Sequence, residues 1–154
     1  MQPEYDVIGQ AVLRDYPLRL WAEQQEHTEE LLREFALLLI GEHDRGHAPA
    51  QLVELAQMFQ DRFGPLIDQL TATRQAAYQA GLDRMDSQVP LIAGMETLLE
   101  QVTVVLAAVD DYCRRGDLLA LARTPEQVAL YDWTTAELAA QAGGAEPTPW
   151  PGPF

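Results

Sequence analysis

The sequence predicts an all-α protein: an antiparallel four-helix bundle of up-down-up-down topology, with a long kinked second helix and a proline-rich C-terminal tail. Apolar residues recur at helical spacing in four segments, and glycines or prolines stand between those segments. No segment of period-two alternation competes with the helices. We therefore divide the 154-residue chain into an N-terminal arm over residues 1–16, a helical bundle domain over 17–144 and a tail over 145–154.

The first helix is predicted to begin at Pro17 and to end near Ile40. Proline suits the first helical position because the N–H that it lacks would have no intrahelical partner there. Trp21, Thr28 and Phe35 follow at intervals of seven and give the helix one apolar stripe. The residues before Pro17 show no sustained period, so we expect a short helix or an arm against the bundle.

The second helix is predicted to run from Pro49 to Ala80. Its apolar stripe keeps one phase across Gly64 and Pro65, which an inserted turn would disrupt. We therefore favour a single helix that is kinked at Pro65, where a backbone hydrogen bond is missing. Two helices separated at Gly64 are the alternative.

A polar connector over residues 82–89 separates the second helix from a third, predicted from Pro90 to Arg115. The fourth helix opens with a capping box, in which Thr124 is the N-cap and Gln127 is the N3 residue, and a glycine pair ends it. The four stripes should meet in a core that includes Phe35, Phe59, Phe63, Leu98 and Val105.

The charge of the chain excludes several classes of partner. Aspartate and glutamate number 24 against 10 basic residues, all arginine, so the net charge is −14. Nonspecific nucleic-acid binding requires cations, and acidic lipid headgroups would be repelled as well. No window of 18 apolar residues and no signal peptide is visible, so we expect a cytoplasmic protein that binds neither nucleic acid nor membrane. A basic or neutral protein partner is allowed.

No set of residues predicts catalysis, a cofactor or a metal. The sequence contains no phosphate-binding glycine loop and no nucleophile elbow. His27 lies among glutamates that would repel a phosphoryl group, and His43 and His47 lie in a predicted loop without a full set of ligands. Cys113 fits a helical apolar pattern and is predicted to be a buried hydrophobe rather than a reactive thiol. We predict a protein that is not an enzyme and has no cofactor.

Cations and tail aromatics are the candidate interaction residues. Four prolines among residues 146–154 favour polyproline II, and a stiff backbone with aromatic anchors can dock at low entropic cost. The tail is expected to dock either on the bundle or on a partner. The arginines either pair internally with acids or contact a partner. The candidates are Arg14, Arg19, Arg114, Arg115, Trp150 and Phe154.

Two stretches resemble a helical family of high-GC bacteria. They are Pro-Leu-Arg-Leu-Trp at residues 17–21, continued through residues 27–37, and Pro-Thr-Pro-Trp-Pro-Gly at residues 147–152. That family is associated with partner-switching regulators, namely anti-sigma kinases, STAS-domain antagonists and their phosphatases. The resemblance implies a regulatory setting for the chain, and it assigns no functional residue.

We therefore predict a non-enzymatic regulatory protein–protein interaction module in a signalling or partner-switching system. The alternative is a small-ligand sensor or an enzyme with a site between the bundle helices. Such a site would require a cavity with convergent polar groups such as Gln25, Thr73 or Tyr112. An interaction module should instead have an exposed apolar patch, or an ordered tail that covers one. Association into a homodimer is a third possibility.

Overall fold

The computed structural model describes residues 5–40, 48–115 and 121–154, and its fold is α+β. The prediction of an all-α bundle is therefore wrong, because two long strands pair in an antiparallel sheet. In chain order the elements are β1 (Val7–Pro17), α1 (Leu18–Ile40), α2 (Ala48–Gln79), β2 (Arg84–Ile92), α3 (Met95–Arg114) and α4 (Pro125–Ala142).

The strands occupy two segments for which the sequence analysis predicted no strand. β1 replaces most of the predicted arm, and β2 replaces both the predicted polar connector and the predicted start of the third helix. Ala11 lies opposite Val89 and Leu13 opposite Ser87, and all four side chains are buried on one face of the sheet. The apolar alternation of β2 is not evident in the sequence, because Ser87 is polar although it faces inward. Pro90 also resembles the proline that often begins a helix.

β1 and β2 are joined by a helical hairpin rather than by a tight turn. α1 and α2 intervene between them in the chain, so the sheet depends on contacts between distant segments. The ladder is irregular where β1 approaches α1, between Leu13 and Tyr16, and Asp15 takes a positive φ of 54° there. Such an irregularity bends the strand and permits α1 to begin directly at Leu18. The Leu18 N–H donates to the Asp83 carbonyl at 3.0 Å.

The helices follow their local signals more closely than the sheet does. α2 is one helix that contains Pro65, so the prediction of a continuous second helix is confirmed. The capping box of α4 is also confirmed, with Thr124 Oγ1 accepting from the Gln127 N–H at 3.2 Å. α3 begins at Met95 rather than at Pro90, after Gly94 with a φ of 80°, which glycine adopts at little cost.

The core has two parts. The first lies between the sheet, α1, α4 and the tail, and its buried members are Ala11, Leu13, Tyr16, Leu20, Trp21, Val89, Leu91, Leu130, Leu138 and Trp150. The second lies between α1, α2 and α3 around Phe35, which is completely buried.

The predicted core residues are only partly confirmed. Phe35 and Phe63 are buried, whereas Phe59, Leu98 and Val105 are half-buried. Val105 packs against the second cluster, and α1, α2 and α4 contact a sheet that the bundle prediction did not contain. Within the described part of the chain, no helix combines the length and the hydropathy needed to cross a bilayer.

Candidate functional site

The C-terminal tail docks on the protein itself. Trp150 is 6% exposed, and its ring meets that of Trp133 edge-on at a centroid distance of 5.4 Å. The Trp150 backbone N–H donates to the Arg14 carbonyl of β1 at 3.0 Å, and the indole Nε1–H donates to the Pro153 carbonyl at 3.0 Å. Trp150 is therefore part of the core and is not exposed for a partner.

Phe154 ends the tail beside two cations. Arg19 of α1 donates from Nη2 to the Phe154 carbonyl at 3.1 Å, and the Arg84 guanidinium lies 4.6 Å from the centre of the Phe154 ring. With Trp150 and the Arg14 carbonyl, these contacts unite four of the predicted interaction residues in one intramolecular attachment. The Arg14 side chain itself is exposed.

Arg114 and Arg115 lie apart from that attachment, at the end of α3. Arg114 pairs with Asp111 at 3.0 Å, and both side chains are more than half exposed. The Arg115 guanidinium lies 5.5 Å from the centre of the Tyr112 ring. These contacts engage both cations within the protein, and an exposed ion pair such as that of Arg114 contributes little energy.

A glutamine that the sequence did not single out covers the outer edge of β1. Gln141 Oε1 accepts from the Val12 N–H at 2.8 Å, and Gln141 Nε2 donates to the Val12 carbonyl at 2.9 Å. Glu137 holds this amide in place, since its Oε2 accepts from Gln141 Nε2 and from the Thr148 N–H. The side-chain amide thus takes the place of a neighbouring strand. The sequence could not identify Gln141, because its role depends on how α4 packs beside β1.

An open groove lies between α3 and α4, with a volume of about 560 Å³. We call it the α3–α4 groove and define it by the residues that line it, which are Glu96, Leu99, Glu100, Thr103, Val104, Thr135 and Ala139. A second cavity of about 200 Å³ shares three of these residues and extends toward Ile8 of β1. Val104 of the groove is 69% exposed and Ile8 of the second cavity is 64% exposed, so each carries an exposed apolar side chain.

Two polar links hold α4 against α3. Tyr131 donates from its hydroxyl to the Leu99 carbonyl at 3.1 Å and lies 3.0 Å from Thr103 Oγ1. Near the start of α4, Arg123 binds the Asp110 carboxylate, with Nη2 2.9 Å from Oδ2. Desolvation raises the pKa of Tyr131 and outweighs the opposing effects of Thr103 and Arg123. The phenol therefore stays protonated and donates at neutral pH.

The charge of the α3–α4 groove is of one sign. Glu96 and Glu100 are the charged residues that line it, and both are exposed. They lie one helical turn apart on α3, beside the apolar surface of Leu99 and Val104. A groove of this composition can hold an apolar face whose flanks carry cations.

The described residues do not bring together the side chains of a metal site or of a nucleophile. No three histidine, cysteine, aspartate or glutamate residues cluster among them, and His43 and His47 lie outside the described residues. His27 Nε2 lies 2.6 Å from the Leu121 carbonyl oxygen. Burial raises the pKa of the Cys113 thiol, and the Asp110 and Glu34 carboxylates raise it further, which disfavours the thiolate.

The polar groups expected of a small-ligand site lie in different places. Thr73 lines a cleft between α2 and β2. Tyr112 packs edge-on against Phe35 at a centroid distance of 6.1 Å in the second core cluster. Gln25 is half-buried on α1. No protein-family model, curated protein or solved structure matches the chain, so its function is inferred from the fold and from these surfaces.

Proposed function

We propose that this protein is a non-enzymatic binding module that holds a basic amphipathic helix of a partner protein in the α3–α4 groove. The observation that carries the proposal is an exposed apolar groove whose lining charges are both negative. A regulatory or partner-switching role, as the resemblance of residues 17–37 and 147–152 implies, would be exercised through this contact.

The shape and the apolar lining favour a helix as the bound element. An amphipathic helix binds by laying its apolar face in a groove between two helices. Val104 exposes 69% of its surface at the rim, and Leu99 forms part of the floor. Burying exposed apolar surface stabilises a complex by about 25 cal/mol per Å² before the entropic costs of association.

The charge favours a basic partner over the other occupants. Two copies of a chain with net charge −14 would bring their glutamates together, which opposes a dimer through this face. Acidic lipid surfaces and nucleic acids are repelled for the same reason. A basic helix is attracted by Glu96 and Glu100, and its association should slow as salt screens that attraction.

The test measures binding of a synthetic amphipathic peptide of leucine and lysine to the full chain by isothermal titration. Val104→Arg removes apolar surface and repels the lysines, so we expect at least about a tenfold loss of affinity, equivalent to about 1.4 kcal/mol. Gln101→Arg is the matched control, because it adds the same charge at an exposed position of α3 outside the groove lining. It should change affinity less than about twofold.

Two results would contradict the proposal. One is a peptide that binds with the same affinity to both arginine variants, because binding would then not depend on the groove. The other is the absence of any binding to the unmodified protein. A Glu100→Gln variant tests the charge separately: it should weaken binding at low salt and have little effect at high salt.

A further inference from the structure

Among the residues that the structure describes, no strand pairs with the outer edge of β2. Val12 directs both its N–H and its carbonyl away from β2, because both bind the Gln141 side chain. Gln88 lies directly opposite Val12 in the antiparallel ladder. Facing residues of such a ladder either exchange both hydrogen bonds or direct both backbones outward. The Gln88 N–H and carbonyl therefore point to the outer edge of β2.

A cleft of about 500 Å³ lies between β2 and α2, and it also reaches Gln10 of β1. Residues 85–88 all line it, and consecutive side chains of a strand point to opposite faces, so the edge of the strand itself forms one wall. The opposite wall is the face of α2 that carries Leu66, Leu70 and Thr73. The cleft thus combines backbone hydrogen-bonding groups with apolar side chains at helical spacing.

We propose that this cleft binds an extended segment of a partner protein as a third strand of the sheet, paired with β2 through the Gln88 backbone. Strand addition gives affinity through main-chain hydrogen bonds and selectivity through pockets for alternate side chains. An apolar side chain of the segment would lie against Leu66 and Leu70. This site is independent of the α3–α4 groove, and a protein with both could hold a helix and a strand at once.

The rest of the sheet supports an extended segment as the occupant. On the other edge, β1 is covered by the Gln141 amide at Val12 and by the extended tail, through the bond from the Trp150 N–H to the Arg14 carbonyl. The fold therefore already places an extended segment beside one edge, with one backbone hydrogen bond to it. The charged residue that lines the β2 cleft is Asp86, so the segment should be neutral or carry a cation there.

A second copy of this chain fits the edge less well. In a symmetric antiparallel pairing about Gln88, Pro90 of each copy would face Asp86 of the other. Proline has no N–H to donate, so each such pair would lose a hydrogen bond. The net charge of −14 on each copy opposes the contact further.

The test replaces the outward N–H without disturbing the ladder to β1. Gln88→Pro removes that donor. β2 already contains a proline at the equivalent position of the ladder, because Pro90 lies two residues away and faces Gln10. Gln88→Ala is the matched control that keeps the N–H. Random decapeptides displayed on phage are selected on the full-length protein. The selected peptides should bind Gln88→Ala as they bind the unmodified protein, and should lose at least about tenfold with Gln88→Pro.

A second pair of variants serves if Gln88→Pro does not fold. Thr73→Trp fills the cleft from α2, and the Thr73 hydroxyl donates to the Gln69 carbonyl of its own helix at 2.9 Å. Ala72→Trp adds the same ring at an exposed position outside the cleft lining. Only Thr73→Trp should abolish binding, and bound peptide should slow hydrogen exchange at the Gln88 amide.

Three outcomes would overturn the proposal: no peptide is selected, the selected peptides bind all four variants equally, or the protein dimerises and Gln88→Pro abolishes the dimer. Val104→Arg should leave binding of these peptides unchanged. Failure at this cleft is therefore distinguishable from failure at the α3–α4 groove.

Discussion

Asp110 and Arg123 illustrate how two residues fix the junction between α3 and α4. The Arg123 backbone N–H and Nε donate to the two carboxylate oxygens at 3.1 and 3.0 Å, and the side chains are only 10% and 6% exposed. The Arg123 guanidinium also lies 5.6 Å from the centre of the Tyr131 ring. Because both charges are buried, neither can be rehydrated if the other is removed.

We expect Asp110→Ala to lower the free energy of unfolding by about 3–5 kcal/mol, since it leaves a buried guanidinium unpaired. Chemical denaturation with urea would measure it. Asp111→Ala is the natural control, because Asp111 belongs to the exposed pair with Arg114 and should cost less than about 1 kcal/mol. Equal losses for the two variants would show that the buried pair does not stabilise the fold.

The proline-rich tail is an ordered part of the fold, because it packs on the protein through Trp150. Its indole fills the core beside Trp133, and Gly152 lies so close to that indole that a Cβ at residue 152 would overlap the ring. The tail therefore turns back around its own tryptophan, and a side chain at residue 152 would displace it. It closes the β1 edge and leaves that edge unavailable to other chains.

Trp150→Ala should destabilise the protein by about 3–5 kcal/mol, as truncation of a buried aromatic residue does. Thermal or urea unfolding of the purified protein measures this loss. Phe154→Ala should cost much less, because Phe154 is 39% exposed. If Trp150→Ala left stability unchanged, the tail would not be part of the core, and its aromatic residues would again be candidates for binding a partner.

Three groups with raised pKa values, Tyr16, Cys113 and Tyr131, make the stability of the molecule depend on pH in the alkaline range, and Tyr16 and Cys113 are the two that are buried. Desolvation raises the pKa of Tyr16 and of Cys113 above their ordinary values. A raised pKa means that the folded state holds its proton more tightly, so the stabilisation is complete below the unfolded pKa, about 8.5 for the thiol and 10 for the phenol. It is lost as pH rises through the folded values.

The free energy of unfolding should therefore fall as pH rises above about 9. Urea titrations at a series of pH values from 7 upward test this expectation. Cys113→Ala should remove the earlier part of the decline and leave the later part, since the thiol of the unfolded chain releases its proton at lower pH than the phenol. A stability that is constant to pH 11 would contradict the burial of both groups.

The sequence by itself determined most of the helices, because their signals are local. Thr124 and Gln127 lie within one turn of each other, and the stripe across Pro65 lies within one segment, so short-range geometry decided both elements. The groove could not be found in this way. Val104 and Thr135 belong to different helices, and only the packing of α4 against α3 makes them neighbours.

Tertiary structure decided the sheet, and with it the fold class. Gln88 and Val12 are far apart in the chain, and a strand gains its hydrogen bonds only when such a distant partner arrives. Their segments carry weak local signals: Ser87 interrupts the apolar alternation, and Pro90 is acceptable in β2 only because its missing N–H faces the outer edge. A helix satisfies its backbone hydrogen bonds within one segment, whereas a strand needs a second segment. A single sequence does not indicate which segment will be that partner.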